Sequence, residues 1–257
     1  MSERAAPAVV RLLVATRSAM WSAAQRSAHE QWLSASEQER LAQFTTPDRR
    51  QEFIACRYAL RLLLADMDDS QISQWPLDAP SGKAPCLAAK VAHARWHLSL
   101  SHSHGHIACA VAPQAVGVDL ELLVKKTRRN LSDLAELACT SRERNELENL
   151  PDEKQRHLRF VQMWSLKEAW FKRAGTGVDF ALLRRLECMP QRVAGATGNP
   201  HGDAETAAAH AWTAPSTAAG DSAAVLSLCT QMRDAHCVLH GLTGHDWQSS
   251  GRFVMHL

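Results

Sequence analysis

The stretch Ala115-Val116-Gly117-Val118-Asp119-Leu120-Glu121-Leu122 alternates between aliphatic residues and Gly, Asp or Glu. Successive side chains of a strand point to opposite faces, so Val116, Val118, Leu120 and Leu122 line one face and Gly117, Asp119 and Glu121 the other. Two carboxylates on one side repel and raise each other's pKa unless solvent or a cation relieves them. A hard divalent cation does so. Magnesium takes a few carboxylates together with water and phosphate oxygens, which suits two acids whose remaining positions are filled by a diphosphate. An exposed strand face is the plainer alternative for this stretch alone.

Working outward, period-two patterns at Trp96–Leu100, Ile107–Val111 and Val116–Leu122 predict three strands. His104-Gly105-His106 and Pro113-Gln114 are read as the turns that make them consecutive antiparallel neighbours. Upstream, residues 8–15 predict a short strand and residues 34–65 helices divided near Pro47, while Ser81-Gly82-Lys83-Ala84-Pro85 predicts a loop. Downstream, residues 131–150 and 157–174 predict helices, the second stopped by Gly175-Thr176-Gly177. Residues 190–222, rich in Ala, Gly, Thr and Pro, predict a long loop with strands near Trp212 and over Val225–Cys229. Two α+β halves fit this order, residues 1–113 and 114–230, with 231–257 as a C-terminal extension that carries no readable motif.

The helix Met163-Trp164-Ser165-Leu166-Lys167-Glu168-Ala169-Trp170-Phe171-Lys172 places Trp164, Glu168 and Lys172 on one stripe. Its other residues are largely apolar, so its charges need partners. In Leu98-Ser99-Leu100-Ser101-His102-Ser103-His104-Gly105-His106, Ser101 and His102 end a strand where polar groups meet ligands. Phosphate or nucleotide contact is the better reading there, because the histidines lack a zinc framework and Ser101 lacks a G-x-S-x-G elbow. Arg40, Arg49, Arg50, Arg57, Arg61 and Lys83 are the basic candidates for an anion site. No Walker loop or G-x-G-x-x-G is present, which weakens kinase and dehydrogenase readings.

The chain has 257 residues with 29 Lys+Arg against 27 Asp+Glu, a balance that gives no whole-molecule argument for nucleic acid or an anionic membrane. Its seven cysteines are an odd number without CxxC spacing, which argues against a disulfide framework and a zinc ribbon and fits a reducing cytoplasm. The apolar run at residues 9–15 is interrupted by Arg11, too short for a membrane span and unlike a signal peptide, so no export is expected.

Three ordered blocks resemble the 4′-phosphopantetheinyl transferases, of the longer monomeric kind that activates peptide and polyketide synthases. They are Gly82-Lys83 with Leu98 to Ser103, then Gly117 to Glu121, then Trp164-Ser165-Leu166-Lys167-Glu168 through Lys172 to Gly175 and Gly177. The resemblance covers about residues 37–180. It implies an α+β fold of two similar subdomains with pseudo-twofold symmetry, small antiparallel sheets packed with helices and coenzyme A bound between the halves. It further implies that Asp119, Glu121 and Glu168 hold Mg²⁺, with Mn²⁺ as an alternative, against the diphosphate of coenzyme A, and that Lys172 contacts that diphosphate. Lys83, Ser101 and His102 would surround the adenosine and its 3′-phosphate, with Arg40 and, less directly, Arg57 as further basic contacts.

The implied reaction transfers the 4′-phosphopantetheine arm of coenzyme A to a serine of an apo acyl, peptidyl or aryl carrier protein, with Glu168 and Lys172 in catalytic roles. Glu168 or a metal-bound water would accept the serine proton. A binding module for coenzyme A or a carrier protein without transfer is the non-enzymatic alternative, and a diphosphate hydrolase using the same acids is another. Where the resembled family often has Lys between the last two glycines, this chain has Thr176.

Overall fold

In a computed structural model of the chain, the described residues are 9–80, 82–94, 96–123, 130–191, 207–215, 223–232, 236–242 and 246–257. The chain divides into two compact units, Met1–Val116 with Asp234–Gly244, and Gly117–Arg233 with His245–Leu257.

The first unit runs β1 (Val9–Thr16), α1 (Arg17–Arg26), α2 (Ala35–Ala42), α3 (Pro47–Asp68), the short pair β2 (Leu77–Asp78) and β3 (Cys86–Leu87), then β4 (His97–Ser103) and β5 (His106–Ala112). Pro47 sits in the first turn of α3, where its missing N–H costs nothing. The apolar side of α3, including Ala55, Ala59, Leu60, Leu63 and Leu64, packs with Leu13, Ile107, Cys109 and Val111 of the sheet. The β4–β5 turn needs left-handed backbone at both His104 (φ 44°) and Gly105 (φ 79°), and glycine meets that at the second position without strain.

The second unit runs β6 (Val116–Leu122), α4 (Leu131–Ala138), α5 (Ser141–Glu148), α6 (Glu153–Ala174), α7 (Phe180–Leu183), β7 (Glu187–Pro190), β8 (Ala207–Ala214) and β9 (Ala224–Thr230). The final segment gives β10 (His236–Leu242) to the first unit and β11 (Gln248–His256) to the second. The sheets are ordered β10-β1-β5-β4 and β6-β9-β8-β11-β7. The second core gathers Met163, Leu166, Ala169 and Phe171 of α6 against Ala209 and Ala211 of β8, Cys229 of β9 and Met255 of β11.

Four expectations change. Residues 231–257, read as an extension, supply a strand to each sheet, and Phe253 and Met255 are buried in the second core. One sheet is mixed, since β10 lies parallel to β1. The β4–β5 hairpin forms, but β6 leaves that sheet and neighbours β9 instead, since a short connection permits pairing without compelling it. Residues 131–150 form two helices, because Thr140 takes extended backbone and caps α5. Of the expected loop over 190–222, residues 192–206 and 216–222 lie outside the described residues.

The order of elements repeats. The helices Ala35–Ala42 and Pro47–Asp68 recur with the same lengths at Ser141–Glu148 and Glu153–Ala174, a constant shift of 106 residues (35 to 141, 47 to 153). The sheet order β1-β5-β4 likewise recurs as β6-β9-β8. Each short helix opens with a capping box, Ser34 with Glu37 and Thr140 with Glu143. In both, the capping glutamate also grips a buried cation of the long helix 24 residues later. Arg61 donates to Glu37 at 3.0 and 2.6 Å, and Lys167 Nζ donates to Glu143 at 2.6 Å and to the carbonyls of Ala138 and Leu183.

Removing one partner of such a pair leaves an uncompensated buried charge. Lys167→Met is expected to lose about 3–5 kcal/mol of stability, read as a lower urea midpoint, with Arg61→Met losing a similar amount.

Candidate active site

The contact that builds the site is between strand and helix backbones in the second unit. A Cβ placed on Gly117 would lie 1.8 Å from the carbonyl oxygen of Ala169 and 2.5 Å from the amide nitrogen of Arg173. Only glycine lets β6 approach α6 so closely. From that contact the face carrying Gly117, Asp119 and Glu121 lies along the stripe carrying Trp164, Glu168 and Lys172. Lys172 Nζ donates to Asp119 Oδ1 at 2.7 Å, and the Trp164 indole N–H donates to Glu121 Oε1 at 3.1 Å.

Asp119 is buried, whereas Glu121 and Glu168 are half-buried. Burial first, then the charge of Asp119, pushes the Glu121 carboxyl up to about 7, with Glu168 adding to the rise and Trp164 and Lys172 opposing it. Burial and then Asp119 also raise Glu168, again against Lys172. The charge of Asp119 thus raises both glutamates, and the Lys172 ammonium opposes the rise in each. Among the described residues no three His, Cys, Asp or Glu side chains converge in a chelating arrangement. The donor chemistry nevertheless fits a hard divalent cation, since three mutually repelling oxygen donors gain from one.

The first unit holds the other candidates. Lys83 is exposed in the turn after Gly82 (φ 70°). Ser101 is buried on β4, and the neighbouring His102 is exposed with Nδ1 3.7 Å from Glu52 Oε2 of α3. Arg40 donates to Gln43 at 2.8 Å and lies over the Phe44 ring. Arg57, the less direct of the expected basic contacts, is enclosed. It is buried with Nε 3.7 Å from Glu37, its guanidinium stacks on Phe53, and burial lowers its pKa. Arg61 is wholly enclosed with Glu37, and Arg49 and Arg50 turn to Glu52 and the Leu41 carbonyl.

The 106-residue shift maps Asp119, Glu121, Glu168 and Lys172 onto Leu13, Ala15, Leu62 and Asp66. The acidic set therefore stands in one of the two repeated frames. Sequence reading missed the roles of Gly117 and Trp164 and the two buried ion pairs. The matching Ser34/Glu37 and Thr140/Glu143 boxes, each followed 24 residues later by a basic residue, are the signal that was there.

Fold and site define a two-unit α+β protein with one acidic, cation-suited centre. The 4′-phosphopantetheinyl transferase superfamily matches residues 115–229, and the 4′-phosphopantetheinyl transferase N-terminal domain matches residues 37–112. The chain is 33% identical to 4′-phosphopantetheinyl transferase HetI of Nostoc sp. over 60% of this chain and 64% of that protein. It is 32% identical to the putative 4′-phosphopantetheinyl transferase slr0495 of Synechocystis sp., over 58% of this chain and 60% of that protein. It is 31% identical to 4′-phosphopantetheinyl transferase Sfp of Bacillus subtilis, over 58% of this chain and 69% of that protein. The first two matches thus span less than two thirds of those relatives. The chain belongs to the 4′-phosphopantetheinyl transferase superfamily, in its longer form with an N-terminal domain.

Gly117→Ala is expected to force β6 from α6 and to cost about 2 kcal/mol or more, seen as a lower unfolding midpoint. Because the folded Glu121 carboxyl titrates near 7 instead of its ordinary 4.5, the folded state binds the extra proton between those values. Stability then falls as pH rises through that window. In EDTA, Glu121→Gln, which still accepts from Trp164, should therefore gain about 1–2 kcal/mol more over the unsubstituted protein at pH 8 than at pH 5, measured by urea unfolding.

Proposed function

We propose that this protein transfers the 4′-phosphopantetheine group of coenzyme A to a serine of an apo acyl, peptidyl or aryl carrier protein, releasing 3′,5′-bisphosphoadenosine. The observation that carries this reading is the gathering of Asp119, Glu121, Glu168 and Lys172 by β6 and α6, in a chain of this superfamily. Asp119, Glu121 and Glu168 would hold Mg²⁺ or Mn²⁺, which supplies neutralising charge for the diphosphate when bound.

The serine oxygen bonds to the β-phosphorus as the bond from that phosphorus to the bridging oxygen breaks, and the oxygen leaves with bisphosphoadenosine. Glu168 takes the serine proton. Lys172 faces the diphosphate and stabilises charge on the leaving oxygen, an electrostatic task that a preorganised ammonium performs well. Trp164 holds one oxygen of Glu121, fixing its orientation. Lys83, Ser101, His102 and Arg40 would take the adenosine and its 3′-phosphate. Exposure of Lys83 and His102 supports that assignment, and Arg57, enclosed beside Glu37, is the less direct contact of the set.

The working state proposed is a cytoplasmic monomer. All seven cysteines are free, which suits a reducing compartment, and no helix of the described residues is long and apolar enough to cross a membrane.

Incubation with coenzyme A, Mg²⁺ and a panel of apo carrier proteins should add about 340 Da to a carrier by intact-mass spectrometry, and EDTA should abolish the gain. Asp119→Ala should fold but lose at least about 100-fold in rate. No gain on any carrier with coenzyme A still bound would replace transfer with simple binding.

A further inference from the structure

We infer that Lys172 is the resident counter-ion of the acidic cluster, and that a divalent cation gains Asp119 only by displacing its ammonium. This rests on the metal reading of Asp119, Glu121 and Glu168 proposed above. The Lys172 Nζ lies 2.7 Å from Asp119 Oδ1. The Asp119 side chain is only 5% exposed, and a carboxylate so enclosed needs a countercharge in contact. Lys172 supplies it.

The two cations compete for the charge of one carboxylate. A metal–oxygen bond of about 2.1 Å for Mg²⁺ would put a second positive charge at a carboxylate already in contact with the ammonium. Repulsion at that range, beside a carboxylate only 5% exposed, disfavours joint occupancy. The lysine can move. Its side chain is 29% exposed on a flexible four-carbon stem, and its anchor lies one helical turn beyond Glu168 near the end of α6. An ammonium displaced from Asp119 can meet another anion, and the proposed substrate brings one as its diphosphate. Metal loading and readiness of Lys172 for substrate are thereby one linked event.

The fold also favours this pairing over a fixed structural one. The buried cation that holds α6 in place is Lys167, with its own acid, Glu143, and two backbone carbonyls. Lys172 is thus not the residue that secures the helix, and its release from Asp119 leaves that anchor intact.

The test is Mn²⁺ affinity of the full chain without coenzyme A, read from loss of the free-ion paramagnetic resonance signal, with urea unfolding to confirm folding. A site held by the lysine for nine-tenths of the time shows about ten-fold weakened apparent affinity. Lys172→Met and Lys172→Gln should therefore each bind Mn²⁺ about ten-fold more tightly than the unsubstituted protein, and either suffices if the other fails to fold. Lys172→Arg, which keeps the charge, should stay close to the unsubstituted value. Asp119→Asn should weaken binding. Weakening by Asp119→Asn with unchanged or weaker binding in the neutral lysine variants would overturn the displacement inference alone. Unchanged binding in Asp119→Asn would overturn the metal reading itself.

Discussion

In each unit a glutamate that caps a short helix is buried and bonded to a cation on the long helix that follows, Glu37 to Arg61 and Glu143 to Lys167. The same carboxylate satisfies a helix start and ties two elements together, so the long helix cannot slide without exposing a charge to the core. In the second unit Lys167 also satisfies the carbonyls of Ala138 and Leu183, ends of other elements around α6. The placement of Glu168, the next residue, and of Trp164 and Lys172 one turn away on either side, follows from that anchoring.

On this fixed helix the site is made by proximity. Gly117 brings β6 against the backbone of α6, and the facing strand residues meet the helix stripe at Lys172–Asp119 and Trp164–Glu121. The repeated frame in the first unit has the same helix lengths and the same kind of anchor, but Leu13, Ala15, Leu62 and Asp66 stand where the site residues would fall. Architecture and chemistry are therefore separable in this chain. The ion-pair anchor is common to both frames, and the acidic centre belongs to one.

The strands near Asp119, the hairpin turn at His104-Gly105 and the start of α3 at Pro47 were legible because each follows from a local rule: period two, left-handed backbone, or a missing donor. The split at Thr140 and the strands at His236–Leu242 and Gln248–His256 were not. A capping side chain overrides a continuous helical pattern there, and strand pairing partners distant in sequence decide the rest. Arg57 and Arg61 read as candidates for an anion site, yet one glutamate 20 to 24 residues upstream draws both inside.

By itself the sequence determined that Asp119 and Glu121 share a strand face and that Trp164, Glu168 and Lys172 share a helix face, because backbone periodicity alone fixes both. The three ordered blocks also resemble a known family, and the match over residues 115–229 agrees with that resemblance. Tertiary structure alone decided that the two faces meet, that Lys172 rests on Asp119, and that Trp164 orients Glu121. The reason is steric: that meeting depends on a backbone approach at Gly117 which no local pattern encodes, since a glycine in a strand looks the same whether solvent or a helix lies above it.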